Sequence, residues 1–466
     1  MVYKKLNTSL YLTPKLMYIT VNMEYFIFYN FRHPFLQSRG IKDGLDTLTF
    51  VLMQFTTFFS NMAMAFFADR IQRPKAVLIM CLVLSAVAFQ GLLLDIPKVM
   101  CCGLFILYST FILSTLPLLD RIVLDYLQKV MNAPSSLYGR QRMFGTFTYF
   151  VTNYITESLI YDSDNPENKR FGMLGPVYML YAGIASSMVF LLAPADAVRP
   201  LSRTQERNRP QIMQALKSGA YLFFLFIILL NGITRGVLTV YLTSYYKGIL
   251  DFNKLSPPTN LPKSLQWVMN IFYKNPVSTC STFGVILEIC IFFYSKTILG
   301  WTGLYWAFLI SQVAQGVRFF AYTQLSPTNP YRFELACAIE LLKGINFGLT
   351  HLSGVQLAVL LVPSNLKSTS QMIYAGTFVC LGGMLGSLIG YFCKIDTEAG
   401  ALSMFAAGAV LSAAASLLIA VKYGVMDGKL WGPRALEVPE APLSAQSSEA
   451  TLKSTGPEKP TAAGPS

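Results

Sequence analysis

Charged side chains are scarce in this chain. Asp, Glu, Lys and Arg make up 13% of its 466 residues, where a soluble domain carries about 25%. A chain so poor in charge cannot clothe a large water-facing surface, which points to a membrane protein. Histidine is nearly absent, with only His33 and His351. The eight cysteines include no C-x-x-C pair and join no Cys/His cluster. A metal centre and a disulfide framework are therefore not expected, and no cofactor is implied. Neither H-E-x-x-H nor G-x-S-x-G occurs, and two histidines leave little for a triad, so an enzyme is not expected. The first residues lack a charged n-region followed by a short apolar core and a cleavage site, so no cleaved signal is expected. The one imbalance of sign is 37 Lys+Arg against 24 Asp+Glu. It comes without a basic patch interleaved with aromatics or a finger motif, which argues against nucleic acid. Basic loops beside anionic lipid account for it better.

What is abundant is apolar length. Hydrophobic residues are 53% of the chain, and its mean hydropathy is +0.46. A bilayer-spanning helix needs about 20 mainly apolar residues. That window gives twelve segments, roughly 11–31, 46–68, 74–94, 102–128, 142–161 and 173–193, then 219–246, 277–295, 299–320, 331–362, 369–392 and 400–423. The expected architecture is an all-α membrane protein of twelve transmembrane helices in two pseudo-symmetric six-helix halves. The halves are 1–193 and 219–423, joined by a basic linker at 194–218 that carries Arg199, Arg203, Arg207, Arg209 and Lys217. Residues 424–466 are rich in Pro, Ser, Ala and Thr with no apolar period, and read as a disordered tail. More of the Lys and Arg fall beside the tails and even-numbered junctions than on the other side, which places both termini in the cytosol. The sequon Asn7-Thr8-Ser9 would then stay unused.

Two stretches carry structural signals. Between the second and third segments the sequence runs Asp69-Arg70-Ile71-Gln72-Arg73-Pro74-Lys75. Charges packed this closely between apolar spans must turn at the membrane surface. There Asp69 can cap a helix N-terminus, while Arg70 and Arg73 reach carbonyl ends or headgroups, a gating position. Further on, Gly382, Gly386 and Gly390 share one helix face and let a neighbouring backbone come close.

The functional candidates are the charges left inside the apolar segments. A charge in lipid is costly, about 3 kcal/mol on insertion scales, and persists only with a partner or a task. Five acids, Glu24, Asp120, Asp125, Glu288 and Glu340, stand against four bases, Arg121, Arg235, Arg318 and Lys343. This near-balance suggests pairs lining a wet central cavity. Arg140 and Arg142 stand at the start of the fifth segment, with Asp120 in the segment before. Asp120 and Arg142 are expected to meet across two helices and hold a solute. In the tenth segment, spacing of three places Glu340, Lys343 and Asn346 on about one helix face. A buried carboxylate there can carry a proton under control of the neighbouring Lys343. Asp125 can snorkel, and His351 reads as a core histidine.

Tyr138-Gly139-Arg140-Gln141-Arg142-Met143-Phe144-Gly145 is similar to the start of the fifth helix in the lactose permease family, and Pro117-Leu118-Leu119-Asp120 resembles that family's P-x-x-E. The D-R-x-x-R-x-K spacing at Asp69 resembles the loop motif of the major facilitator superfamily, with Ala65 in place of its usual Gly. Glu340, Gly344, Phe347 and Gly348 fit the E-x-L-H-G-x-x-F-G pattern of the related nucleoside–proton symporters and major-facilitator-associated proteins, with Lys343 in place of His. The resemblance covers about residues 10–425. It implies sugar-type hydroxyl recognition by Asp120 and Arg142 and ring stacking by Tyr149.

These readings lead to an expected secondary active transporter of a sugar or nucleoside, working by proton symport and alternating access. Asp120, Arg142, Tyr149, Glu24, Arg235 and Asn346 are the candidate binding residues. Glu288, Arg318, Glu340 and Lys343 are the coupling candidates; Asn346 stands where the permease has its proton-carrying Glu. The alternatives are an anionic solute, nucleotide or organic acid, or a transporter-shaped receptor that moves nothing. The expected partners are the solute, protons and lipid, with a functional monomer in the plasma membrane.

Overall fold

The computed structural model of the protein describes residues 10–42, 44–71, 73–131, 138–161, 169–193, 218–257, 262–362, 367–393 and 397–432. The first helices are α1 (Leu12–Phe26), α2 (Arg32–Ser38), α3 (Leu45–Ile71), α4 (Pro74–Leu93), α5 (Lys98–Lys129), α6 (Tyr138–Ile160) and α7 (Leu174–Leu192). After the linker come α8 (Gly219–Ser244), α9 (Lys263–Lys274), α10 (Pro276–Phe293), α11 (Ser295–Thr323) and α12 (Arg332–Leu360). The series closes with α13 (Lys367–Ala375), α14 (Gly382–Cys393) and α15 (Glu398–Ile419). Among the described residues the only extended pairing is an isolated bridge between Tyr161 and Lys169. Among the described residues seven helical stretches are long and apolar enough to cross a membrane by length and composition.

Local chemistry sets several boundaries. Pro74 and Pro276 sit at the first helical position, where a missing N–H is not needed. Thr397 caps α15 by accepting from the Gly400 N–H at 3.1 Å. The expected first segment, 11–31, is interrupted. A 3-10 turn at Tyr29–Phe31 separates α1 from α2. Pro34 explains the break, because its ring clashes with the carbonyl four residues back, that of Asn30. The short α9 was invisible to a 20-residue window: its twelve residues alternate faces and leave Leu265 and Trp267 exposed. Gly303, at φ 67°, kinks α11 near its start. The expected tail begins too early at 424. A π turn at Ala420–Met426 continues α15, Leu430 is buried, and Trp306 Nε1 donates to the Leu430 carbonyl at 2.8 Å.

Packing repeats along the chain. In the first half α1 lies on α6 and α7, α3 on α5, and α4 on α5 and α7; in the second, α8 lies on α14, α10 on α12, and α11 on α12 and α15. The halves meet where α6 packs on α10 and where α3 packs on α14, two contacts that exchange under the same repeat. This is the two-half plan read from the hydropathy. The glycine face of α14 serves packing inside its own half. A Cβ on Gly382 would lie 2.4 Å from the Gly232 backbone, so α8 and α14 touch main chain to main chain.

The buried apolar residues show which end of the bundle is shut. Near the C-terminal ends of α1, α6 and α8 one continuous cluster spans both halves, joining Phe28, Phe35 and Phe105 to Tyr241, Tyr245 and Phe405. At the other end the core divides. Met17, Leu78 and Leu119 belong to a cluster of the first half, and Phe224, Phe308 and Leu357 to one of the second. The halves are fused at one end and separate at the other.

Candidate functional site

Asp120 and Arg142 lie toward the divided end. Tyr18 on α1 donates to Asp120 Oδ1 at 2.6 Å, and Arg142 Nη2 is 4.0 Å from Asp120 Oδ2. Half of the Arg142 side chain is exposed, so the pair is loose and open to a solute. Arg140, two residues away on the helix, is exposed on another face. Two turns deeper on α6, the Tyr149 hydroxyl accepts from Asn30 Nδ2 at 2.8 Å. Phe26 meets the Tyr149 ring edge-on, and Lys343 reaches across from the second half to 5.3 Å from its centre. Asn30 Nδ2 also approaches Asn153 Oδ1 at 3.0 Å and Ser281 Oγ at 3.4 Å.

The second half contributes Arg235, Glu288 and Lys343. The Arg235 guanidinium packs over Phe347 at 5.4 Å and Phe378 at 5.1 Å. Glu288 is 7% exposed and makes no hydrogen bond or ion pair among the described residues. It lies within electrostatic reach of Lys343, Arg142 and Arg235. Glu340 is engaged differently: Arg318 Nη2 donates to its Oε1 at 2.6 Å, and so does Tyr322 at 2.6 Å. Tyr246 extends this chain through a hydrogen bond with Tyr322.

The stacked face expected for the tenth segment fans out. Glu340 turns to α11, Lys343 to Tyr149, and Asn346 donates to the Ser311 carbonyl at 2.9 Å and to Asn231 Oδ1 at 3.2 Å. Asn346 is thus held in the core of its own half. Glu24 is likewise internal: fully buried, it accepts from Ser85 at 2.7 Å on α4. His351 packs against Phe347 and Phe378. Arg70 and Arg73 are exposed at the α3–α4 junction; the side chain of Asp69 lies outside the described residues.

The groups that shut the fused end are not among the residues expected from the sequence. Glu157, near the C-terminus of α6, is fully buried; Lys247, just past α8, approaches it at 2.9 Å. Its carboxylate also accepts the N–H groups of Ser278 at 2.7 Å and Val277 at 3.3 Å. It therefore captures the positive N-terminal end of α10, which belongs to the other half. Ser158 donates to Asn275 Oδ1 at 2.8 Å, Tyr154 bonds Thr279 at 2.8 Å, and His33 bonds Ser244 at 2.5 Å. Thr156-Glu157-Ser158, an acid amid hydroxyls in an apolar helix, was the available signal.

The MFS_1 like family model matches residues 18–406. The nucleoside transporter NupG superposes with a TM-score of 0.69 at 15% identity, over 88% of this chain and 100% of that one. An auto-inhibited POT family peptide transporter superposes with a TM-score of 0.62 at 13% identity, over 92% and 98%. A bacterial homologue of the human lysosomal transporter Spinster, inward-facing and unoccupied, gives 0.58 at 11%, over 91% and 98%. No curated protein matches the chain. A match across residues 18–406 of a chain folded into two repeated helical halves decides its membership: the protein belongs to the MFS_1-like family of major facilitator transporters and is a multi-pass integral membrane protein, not an enzyme.

Proposed function

We propose that this transporter is a secondary active carrier of a small polar solute of the sugar or nucleoside type, working by alternating access with proton symport. The observation that carries the reading is a polar, charged region shared by both halves, with the halves latched at one end and parted at the other. With both termini cytosolic, the parted end faces the cytosol and the latched end faces outward, in a monomer of the plasma membrane. Asp120, Arg142 and Tyr149 hold the solute from the first half. Glu288 takes the proton, because Glu340 is already committed to Arg318 and Tyr322 while Glu288 has no such partner. NupG, by its name a nucleoside transporter, supports the solute class by shared fold alone.

A second reading, an anionic solute, is favoured by the cations Arg142, Arg235 and Lys343 that surround Glu288. The rival of another kind is a receptor that binds and does not transport. Solute exchange in sealed proteoliposomes tests the proposal, after a thermal-shift screen against sugars, nucleosides, nucleotides and carboxylic acids has found a ligand. Accumulation or exchange of that ligand supports transport; binding with no exchange would leave only the receptor.

A further inference from the structure

Several charges within the described helices have a counter-charge at hand: Arg318 with Glu340, Lys247 with Glu157, Arg142 with Asp120, His33 with Asp46. Three cations grouped where the halves meet do not. Arg32, Arg235 and Lys343 have no carboxylate within 4.0 Å among the described residues. Arg32 is only 6% exposed. Its Nε donates to the Tyr29 carbonyl at 3.0 Å, and its guanidinium lies 4.3 Å from the centre of the Tyr29 ring. A buried guanidinium without an anion is costly in a low-dielectric interior and persists where a partner arrives from outside.

The three cations converge. Arg32, Arg235 and Lys343 come from α2, α8 and α12, and all lie within electrostatic reach of the Tyr29 phenol. Tyr29 belongs to the 3-10 turn that ends α1, one residue before Asn30, which bonds Tyr149. The focus therefore lies at the floor of the parted region, directly beneath the latched end. Glu288 lies within electrostatic reach of Arg235 and Lys343, and the Glu340 carboxylate near Lys343 is already held by Arg318 and Tyr322. With Glu340 committed to Arg318, three positive groups face Glu288 and leave an excess of positive charge, which low-dielectric walls concentrate.

We infer that the Tyr29 turn is the receptor for a negatively charged group on the solute, held by Arg32, Arg235 and Lys343, so that the cargo is an organic anion such as a phosphorylated sugar or nucleoside. This rests on the transporter reading above and takes, within it, the second solute class, the anionic one, in a specific form. The residues come from both halves, so a bound anion bridges them through charge-assisted contacts. A neutral sugar or nucleoside fills the same region without satisfying the cations.

The test compares matched pairs on the purified full chain by calorimetry: uridine against uridine monophosphate, and ribose against ribose 5-phosphate. The phosphorylated member of each pair is expected to bind about tenfold more tightly or better, the effect of one charge-assisted contact. Arg235→Gln is expected to remove that advantage, so that the two members of each pair bind alike, with Arg235→Lys restoring part of it. Melting curves identify any variant that fails to fold; Lys343→Gln is then used in its place. Equal or tighter binding of the neutral member in either pair would overturn the inference, and so would binding of none of the four or an advantage that survives in a folded variant. Counterflow in proteoliposomes keeps the two proposals apart. Anion preference without counterflow overturns transport alone, and counterflow of the neutral members alone overturns the anion receptor.

Discussion

Glu157 on α6 and Lys247 beyond α8 meet at 2.9 Å across the two halves, with side-chain exposures of 0% and 10%. The same carboxylate accepts two N–H groups from the start of α10, so one side chain fastens two elements of the opposite half. Its charge is fully used only while this end is shut.

Glu157→Gln is therefore expected to weaken the closed arrangement specifically. Leaving a buried charge without its partner costs roughly 3 kcal/mol, enough to shift a two-state equilibrium more than about tenfold. The check is labelling of the native Cys280, fully buried beside the Glu157 contacts of α10, by a membrane-impermeant maleimide, in a chain with Cys290 and Cys393 replaced by serine. Faster labelling with Glu157→Gln is expected. An unchanged rate would mean that the pair does not latch this face.

The Arg318–Glu340 pair is a different kind of contact, internal to the second half. Arg318→Gln strands a nearly fully buried carboxylate and should lower stability by roughly 3–5 kcal/mol. The double variant with Glu340→Gln removes both charges and should recover most of the loss. Melting temperatures of the two variants decide it, and a double variant as unstable as the single one would contradict the pairing.

Gly232 and Gly183 make a matched test of packing. A Cβ on Gly232 would stand 2.5 Å from the Phe378 carbonyl oxygen, whereas one on Gly183 meets nothing within 4 Å. Gly232→Ala should cost about 1–3 kcal/mol through overpacking and lower the melting temperature. Gly183→Ala should leave it in place.

Glu288→Gln separates the proton from the solute. Solute-driven proton uptake into vesicles should vanish in this variant, while counterflow, which needs no net proton movement, should remain. An intact pH signal would move the proton elsewhere.

The two-half architecture was legible because spans of about 20 apolar residues mark themselves. Asp120 and Arg142 were legible because charges inside such spans are few. What the sequence did not disclose is direction. Helical spacing grouped Glu340, Lys343 and Asn346, yet only packing decides that one turns to Arg318, one to Tyr149 and one to Asn231. Glu24 read as a cavity acid and is an internal one, bonded to Ser85. Glu157 was missed for the opposite reason. It lies four residues from the end of its segment and looks like a surface residue, while its partners, Lys247 and the start of α10, are about a hundred positions away.

The most direct measurement is solute uptake by Arg142→Ala beside Arg140→Ala in the same proteoliposomes. The two arginines are two residues apart, and Arg142 approaches Asp120 at 4.0 Å while Arg140 is exposed on another face of α6. Loss of one charged contact, about 1.5–3 kcal/mol, should cut uptake by Arg142→Ala at least about tenfold and leave Arg140→Ala near wild type. Wild-type uptake by Arg142→Ala, or an equal loss in both variants, would contradict a solute site at Asp120 and Arg142.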